Sequence, residues 1–373
     1  MRKIFLFLLV FTTLIVAVSF NCCALYEDIE SMPESVKDDL FSILDNDVLR
    51  ALDEMGINEN TFDNIYDISF SSIGSFFKET LIGRVKTCFK SSFSLLSVVI
   101  IIGIVSTLFK DSSFSSFFSL LSVVIISLML TSVVQSSLNA VISVIKLSGN
   151  FMLSFIPIYT LIISFSGNPA GALTYNSFAL FFAESISALI SHGFVDVMGL
   201  YFCLSISFLL NESINVNRFL SVVNKAVSVV LGLAASVFTG FLSIRSVLGA
   251  SVDAVSVKSI RFLISSLIPV VGSSISEAYS SLLGSINLIK GSVAVVGIIA
   301  VLIINLPVIA ETLTYYLTFS FLGFACEGLG ESRSADVFKC FSCGIKIILL
   351  LCVFEMFILI ISTGIMLSFK GGS

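Results

Sequence analysis

The sequence predicts an all-α, polytopic helical membrane protein of about seven to nine spans, with a small helical ectodomain at its N-terminus. Three observations carry that expectation. From about Ser91 to Phe369 the chain is almost unbroken apolar sequence. The runs Phe93–Phe109, Phe114–Val134, Phe219–Ile244, Val293–Ile309 and Ile345–Leu367 hold few or no charges. Each can cross a hydrocarbon core of about 30 Å at roughly 1.5 Å per residue. Composition agrees: 56% of residues are apolar and 12% charged, with a mean hydropathy of +1.07, whereas a soluble domain carries about 25% charge. Finally, these runs lack the polar face that a long helix in a soluble protein needs.

At the N-terminus, Arg2 and Lys3 precede the apolar stretch Ile4–Phe20, and Cys22 and Ala24 occupy small-residue positions of a signal peptidase site. Residues 1–24 therefore read as a signal peptide cleaved after Ala24, or as an uncleaved signal anchor. Either places Leu25 and the residues after it outside the cytoplasm. Residues 25–90 form the extracytoplasmic region, where the acids crowd into Glu27–Glu79. Pro33-Glu34-Ser35 reads as a helix start, with Val36, Leu40, Ile43 and Leu44 at helical spacing. After the break at Asp45-Asn46-Asp47, a short helix is expected over Val48–Met55, closed by Gly56. Phe70, Ile73, Phe76, Phe77 and Leu81 oppose Ser71, Ser72, Lys78 and Glu79, which predicts an interfacial helix leading into the first span.

Residues 91–373 form the transmembrane domain. Spans are expected near 91–109, 114–135, 148–166, 172–194, 196–210, 219–244, 291–310, 312–326 and 343–368, with 260–289 a kinked span or two half-helices. With 36 Phe and no Trp, Tyr and Lys must mark the membrane boundaries. The bases do not fall on one side for any simple count, so orientation stays open.

Several function classes are disfavoured. One His leaves little room for metal clusters or a Ser-His-Asp arrangement. No Gly-rich loop precedes a Lys-Ser or Lys-Thr pair. No basic stripe suggests nucleic acid. No enzyme activity, cofactor or metal is expected; the bilayer itself is a partner. Cys340 and Cys343 have C-x-x-C spacing without a second pair and read as small buried residues.

Candidate functional residues fall into three groups. Gly272, Ser276, Ser280 and Gly284 recur every four residues, as do Gly232, Ser236 and Gly240. That spacing lets a neighbouring backbone approach closely, either within the bundle or between copies in a homo-oligomer. Pro157, Pro269 and Pro307 are expected helix breaks. The surroundings of the first two, Ser154-Phe155-Ile156-Pro157-Ile158 and Ser266-Leu267-Ile268-Pro269-Val270, resemble each other, as in transporters built from repeats. Glu184, His192, Asp196 and Glu311 make an intramembrane polar path for a proton or ion, or else mark span ends and helix contacts.

Ser259-Ile260-Arg261-Phe262, then Ile268-Pro269-Val270-Val271-Gly272, Ser276-Glu277-Ala278, Leu288-Ile289-Lys290 and Val296-Gly297, resemble the stage III sporulation protein AE family of endospore-forming bacteria. The order of signal, acidic ectodomain and many spans is similar too. Ser273 stands where the family would place a second Gly. The resemblance implies a multi-pass protein of the mother-cell membrane around the forespore. It implies a place in a channel or export complex that supports late forespore development. Implied partners are other stage III proteins, including ring-forming proteins and a secretion-type ATPase. The competing expectation is a stand-alone secondary transporter for a small solute, driven by protons through Glu184 or His192.

Overall fold

The computed structural model describes residues 42, 44–55, 57, 70–108, 115–165, 181, 185, 193–211, 216–238, 240 and 272–367. The main helices are α1 (Asn46–Glu54), α2 (Phe70–Leu108), α3 (Ser115–Phe165), α4 (Val195–Leu210), α5 (Val216–Phe238), α6 (Gly272–Gly328) and α7 (Ser332–Leu367). No strand occurs among the described residues. Five of these helices (α2, α3, α5, α6, α7) are long and apolar enough to cross a membrane, and α4 is a shorter apolar helix.

The helices are longer than the expected spans. The stretches 114–135 and 148–166 join in one helix of 51 residues, and 291–310 and 312–326 lie in one of 57 residues. At about 1.5 Å per residue, α3 is roughly 77 Å long and α6 roughly 85 Å. The expected interfacial helix and the first span are likewise one element, α2. Pro157 and Pro307 both sit inside continuous helices. Proline removes one backbone hydrogen bond and bends the chain. Ending a helix among apolar side chains would strand many more backbone groups at several kcal/mol each, so the helix continues. The expected segment 172–194 and Pro269 lie almost entirely or wholly outside the described residues.

α6 is the axis of the bundle. Arg84 lies near Glu311, and Leu329 packs against Gly103, so α2 runs parallel to α6. Phe155 covers Gly297 and Ser148 meets Asn305, so α3 runs antiparallel to it. Ser320 bonds Ser342 at 2.8 Å near the turn, and Cys352 lies 3.9 Å from Asn305 further along, which makes α6 and α7 a hairpin. In lipid there is little hydrophobic gain between helices, so close packing holds them. Small residues permit it: Gly297 lies beneath the Phe155 ring, and Gly344 beneath Phe202 and Tyr201.

α1 does not stand apart. Asp45 caps it, its side chain accepting the Asn46 N–H at 2.7 Å. Val48, Leu52, Met55 and Ile57 then join the same apolar cluster as Phe151 and Phe155 of α3 and Val293 and Ile304 of α6. Leu52 is fully buried.

The α6–α7 turn is built by Gly330. Its φ is +83°, a region that costs a side-chain-bearing residue about 1–2 kcal/mol. Glu331 N–H donates to the Cys326 carbonyl at 2.9 Å, and Gly330 N–H to the Glu327 carbonyl at 3.0 Å, closing the helix end as a Schellman motif. Gly330→Val should lower the unfolding free energy by about 1–2 kcal/mol, and Gly330→Asn by less. Denaturant unfolding in mixed micelles reads this; equal losses for both variants would contradict the φ argument.

Candidate functional site

A membrane-spanning helix that shows a polar face to its surroundings must find water or a partner there, because lipid offers polar groups nothing. α3 has such a face. Ser132, Gln135, Ser136, Asn139, Ser143, Lys146, Asn150 and Ser154 are all exposed. Their three- and four-residue steps put them on one side of the helix. One stretch earlier the exposed positions are Leu121, Val124, Ile125 and Leu128, which suit lipid. The opposite side, including Val134, Val141, Val144 and Met152, is buried against the bundle.

α5 repeats the pattern. Arg218, Ser221, Lys225 and Ser228 are exposed at helical spacing, and the face continues through Gly232, Ser236 and Gly240. A Cβ added at Gly232 or Gly240 would meet nothing within 4 Å. Ser236 bonds its own helix, donating to the Gly232 carbonyl at 2.8 Å. Within the described chain, then, this set of small residues has no neighbour.

Between α5, α6 and α7 lies a groove of about 330 Å³. Lys339 pairs with Glu327 at 2.6 Å and Asp336 at 3.1 Å. One turn on, Ser342 meets Ser320 at 2.8 Å. Lys346 then donates to Asn224 Oδ1 at 3.0 Å, while Asn224 Nδ2 donates to the Leu220 carbonyl at 2.9 Å. Lys346 has no carboxylate within 4 Å among the described residues. A lysine with one amide partner in a membrane helix is costly unless the groove holds water.

On another side of α6, Glu311 approaches Arg84 at 3.9 Å across a cleft of about 560 Å³ that also reaches Glu79 and Tyr315. Arg84 is more than half exposed, so this pair adds at most about 1 kcal/mol. Glu311 is thus a helix contact opening onto a cleft. Of the other residues in the expected polar path, Glu184 and His192 lie outside the described residues. Asp196 is exposed in the first turn of α4, where a negative charge suits the helix dipole. Gly272, Ser276, Ser280 and Gly284 lie on the first turns of α6. Pro157 is exposed and Pro307 half-buried.

The α3 face has no counterpart among the residues singled out from sequence, because Asn139, Ser143 and Lys146 fall between two expected spans. Counting every third and fourth residue across 131–154 would have found it. Lys346 and Asn224 carry no sequence signal of their own, since their meeting depends on two distant helices. Among the described residues, no group of three or more His, Cys, Asp or Glu is placed to hold a metal ion.

These features define a polytopic helical membrane protein whose spanning helices carry exposed polar faces and a lysine-bearing groove. The chain belongs to the stage III sporulation protein AE family, whose model matches residues 55–369. It is similar to stage III sporulation protein AE of Bacillus subtilis (strain 168), at 23% identity over 199 residues, 53% of this chain and 50% of that protein. The chain spans about half the length of the curated relative it matches. No solved structure matches it.

Proposed function

We propose that this chain is an integral component of the channel or export complex that links mother cell and forespore and serves late forespore development. Family membership supplies the sporulation role. The observation that carries the channel reading is the exposed polar face of α3, from Ser132 to Ser154, flanked by apolar lipid-type surface. Such a face fits a hydrated path. On this reading the face is completed by further copies of the chain or by ring-forming stage III partners, in the mother-cell membrane around the forespore. The chain performs no chemistry itself; a secretion-type ATPase partner supplies the energy.

Single cysteines at Ser132, Gln135, Asn139, Ser143 and Lys146, in a background lacking the native cysteines, test this in sporulating cells. A membrane-impermeant thiol reagent should label them and stop late forespore gene expression, while cysteines at Leu121, Val124 and Leu128 stay unlabelled. Labelling without periodicity, or labelling that leaves forespore development intact, would reject the hydrated path.

A further inference from the structure

We propose that copies of this chain assemble side by side in the membrane, the polar face of α3 in one copy packing on α5 of the next. The inference rests on the channel reading above and names the contact that completes the α3 face.

Both faces lack partners within the chain. The side chains of Gln135, Asn139, Lys146 and Asn150 on α3, and of Lys225 on α5, are exposed and make no hydrogen bond or ion pair among the described residues. Lipid tails give such groups nothing. Past Asn224, α5 buries only Phe238 among the described residues. Its own bundle therefore holds it at one end. Gly232, Ser236 and Gly240, at four-residue steps, leave room for the backbone of another helix.

The two faces stand at the same height along the bundle. Ser122 of α3 meets Ser334 of α7 at 3.2 Å. Asn305 of α6 bridges Ser148 of α3, at 2.9 Å, and Cys352 of α7, at 3.9 Å. α3 and α7 thus run in the same direction, and between these contacts Asn139 comes level with Lys346. α5 runs that way too. Phe219 stacks on Tyr201, whose hydroxyl meets the Cys340 carbonyl, and Asn224 meets Lys346. Lys225 is therefore level with Asn139, and Gly232, about two turns on, with Lys146 and Asn150. Copies related by rotation about the membrane normal keep each residue at its own depth, so faces that meet must share a depth. The chemistry of these two also matches. Lys225 finds the amide oxygens of Gln135 and Asn139. Lys146 lies over Gly232, where no side chain obstructs it. The two bases stay about two turns, roughly 10 Å, apart. Pairing α5 with another α5 would instead set Lys225 against Lys225, which like charge disfavours. A contact between two different faces leaves each copy one free face of each kind, so assembly continues until a ring closes.

The test uses two differently tagged full-length chains lacking the native cysteines, produced together in sporulating cells. One carries Asn150→Cys and the other Gly232→Cys, both at exposed positions. In isolated membranes a short bifunctional maleimide should join the two tags. A single chain carrying both cysteines should give a ladder of multimers. Leu121→Cys in place of Asn150→Cys, far off in height, should give no product, and Ser236→Leu beside Gly232→Cys should abolish it by filling the small face. The proposal is overturned if the tags do not join, if Gly232→Cys joins to itself as readily as to Asn150→Cys, or if the product survives Ser236→Leu. Joined tags with forespore development that tolerates thiol labelling of α3 would keep this contact and reject the hydrated path. Labelling that stops development without joined tags would keep the path and reject this contact.

Discussion

Gly344→Val is expected to lower the unfolding free energy by about 3 kcal/mol or more. A Cβ at Gly344 would overlap the Phe202 ring, with Cε1 at 2.6 Å and Tyr201 Cε1 at 3.0 Å. Neither ring can retreat. Phe202 packs on Phe341 at 5.2 Å between centroids and on Tyr201 at 5.1 Å. Tyr201 in turn stacks on Phe219 at 5.8 Å, and its hydroxyl donates to the Cys340 carbonyl at 2.7 Å. Overpacking here must therefore push α4 off α7. The control is Gly232→Val, which meets open space and should change stability by no more than about 0.5 kcal/mol. Unfolding in sodium dodecyl sulfate mixed micelles compares the two. Phe202→Ala should restore part of the loss in Gly344→Val, and similar stabilities for Gly344→Val and the parent would disprove this packing.

Phe155→Ala should cost about 3 kcal/mol, the lower end of the range for Phe in soluble cores. The ring is fully buried, stacked between Phe151 at 5.2 Å and Tyr159 at 5.5 Å. Lipid replaces water around the separated helices, so the transfer contribution shrinks and the lost contacts and cavity dominate. The same ring sits on Gly297, where an added Cβ would come within 2.5 Å of Cζ. Gly297→Ala alone should therefore destabilise, yet cost little in the Phe155→Ala background. A double-mutant cycle should show at least about 1 kcal/mol of coupling. Additive losses would mean that α3 and α6 do not meet at this pair.

The class of fold was legible because it rests on local composition. Runs such as Val293–Ile309 cannot be solvated by water. The short helix over Val48–Met55 was legible too, and appears as α1, because Asp45 supplies a cap and the apolar positions repeat at helical spacing. Helix ends were not. Asn139, Ser143 and Lys146 look like a connecting segment, and Glu311 like a span boundary, yet both stretches are helical. Polar residues mark a loop only if they need water on all sides; on one face of a long helix they need it on that face alone. Pro157 and Pro307 misled for a related reason, since the neighbouring turns outweigh the single bond each removes.

Local sequence sets the solvent of this protein and its helical character, since apolar length and the absence of alternating polarity act residue by residue. Which polar groups meet is set by how the helices pack. Asn224 reaches Lys346 across 122 positions of sequence, and Asn305 reaches Ser148 across 157. Such pairings depend on helix direction and rotation, which arise from close packing at Gly297 and Gly344 and leave no periodic trace along the chain.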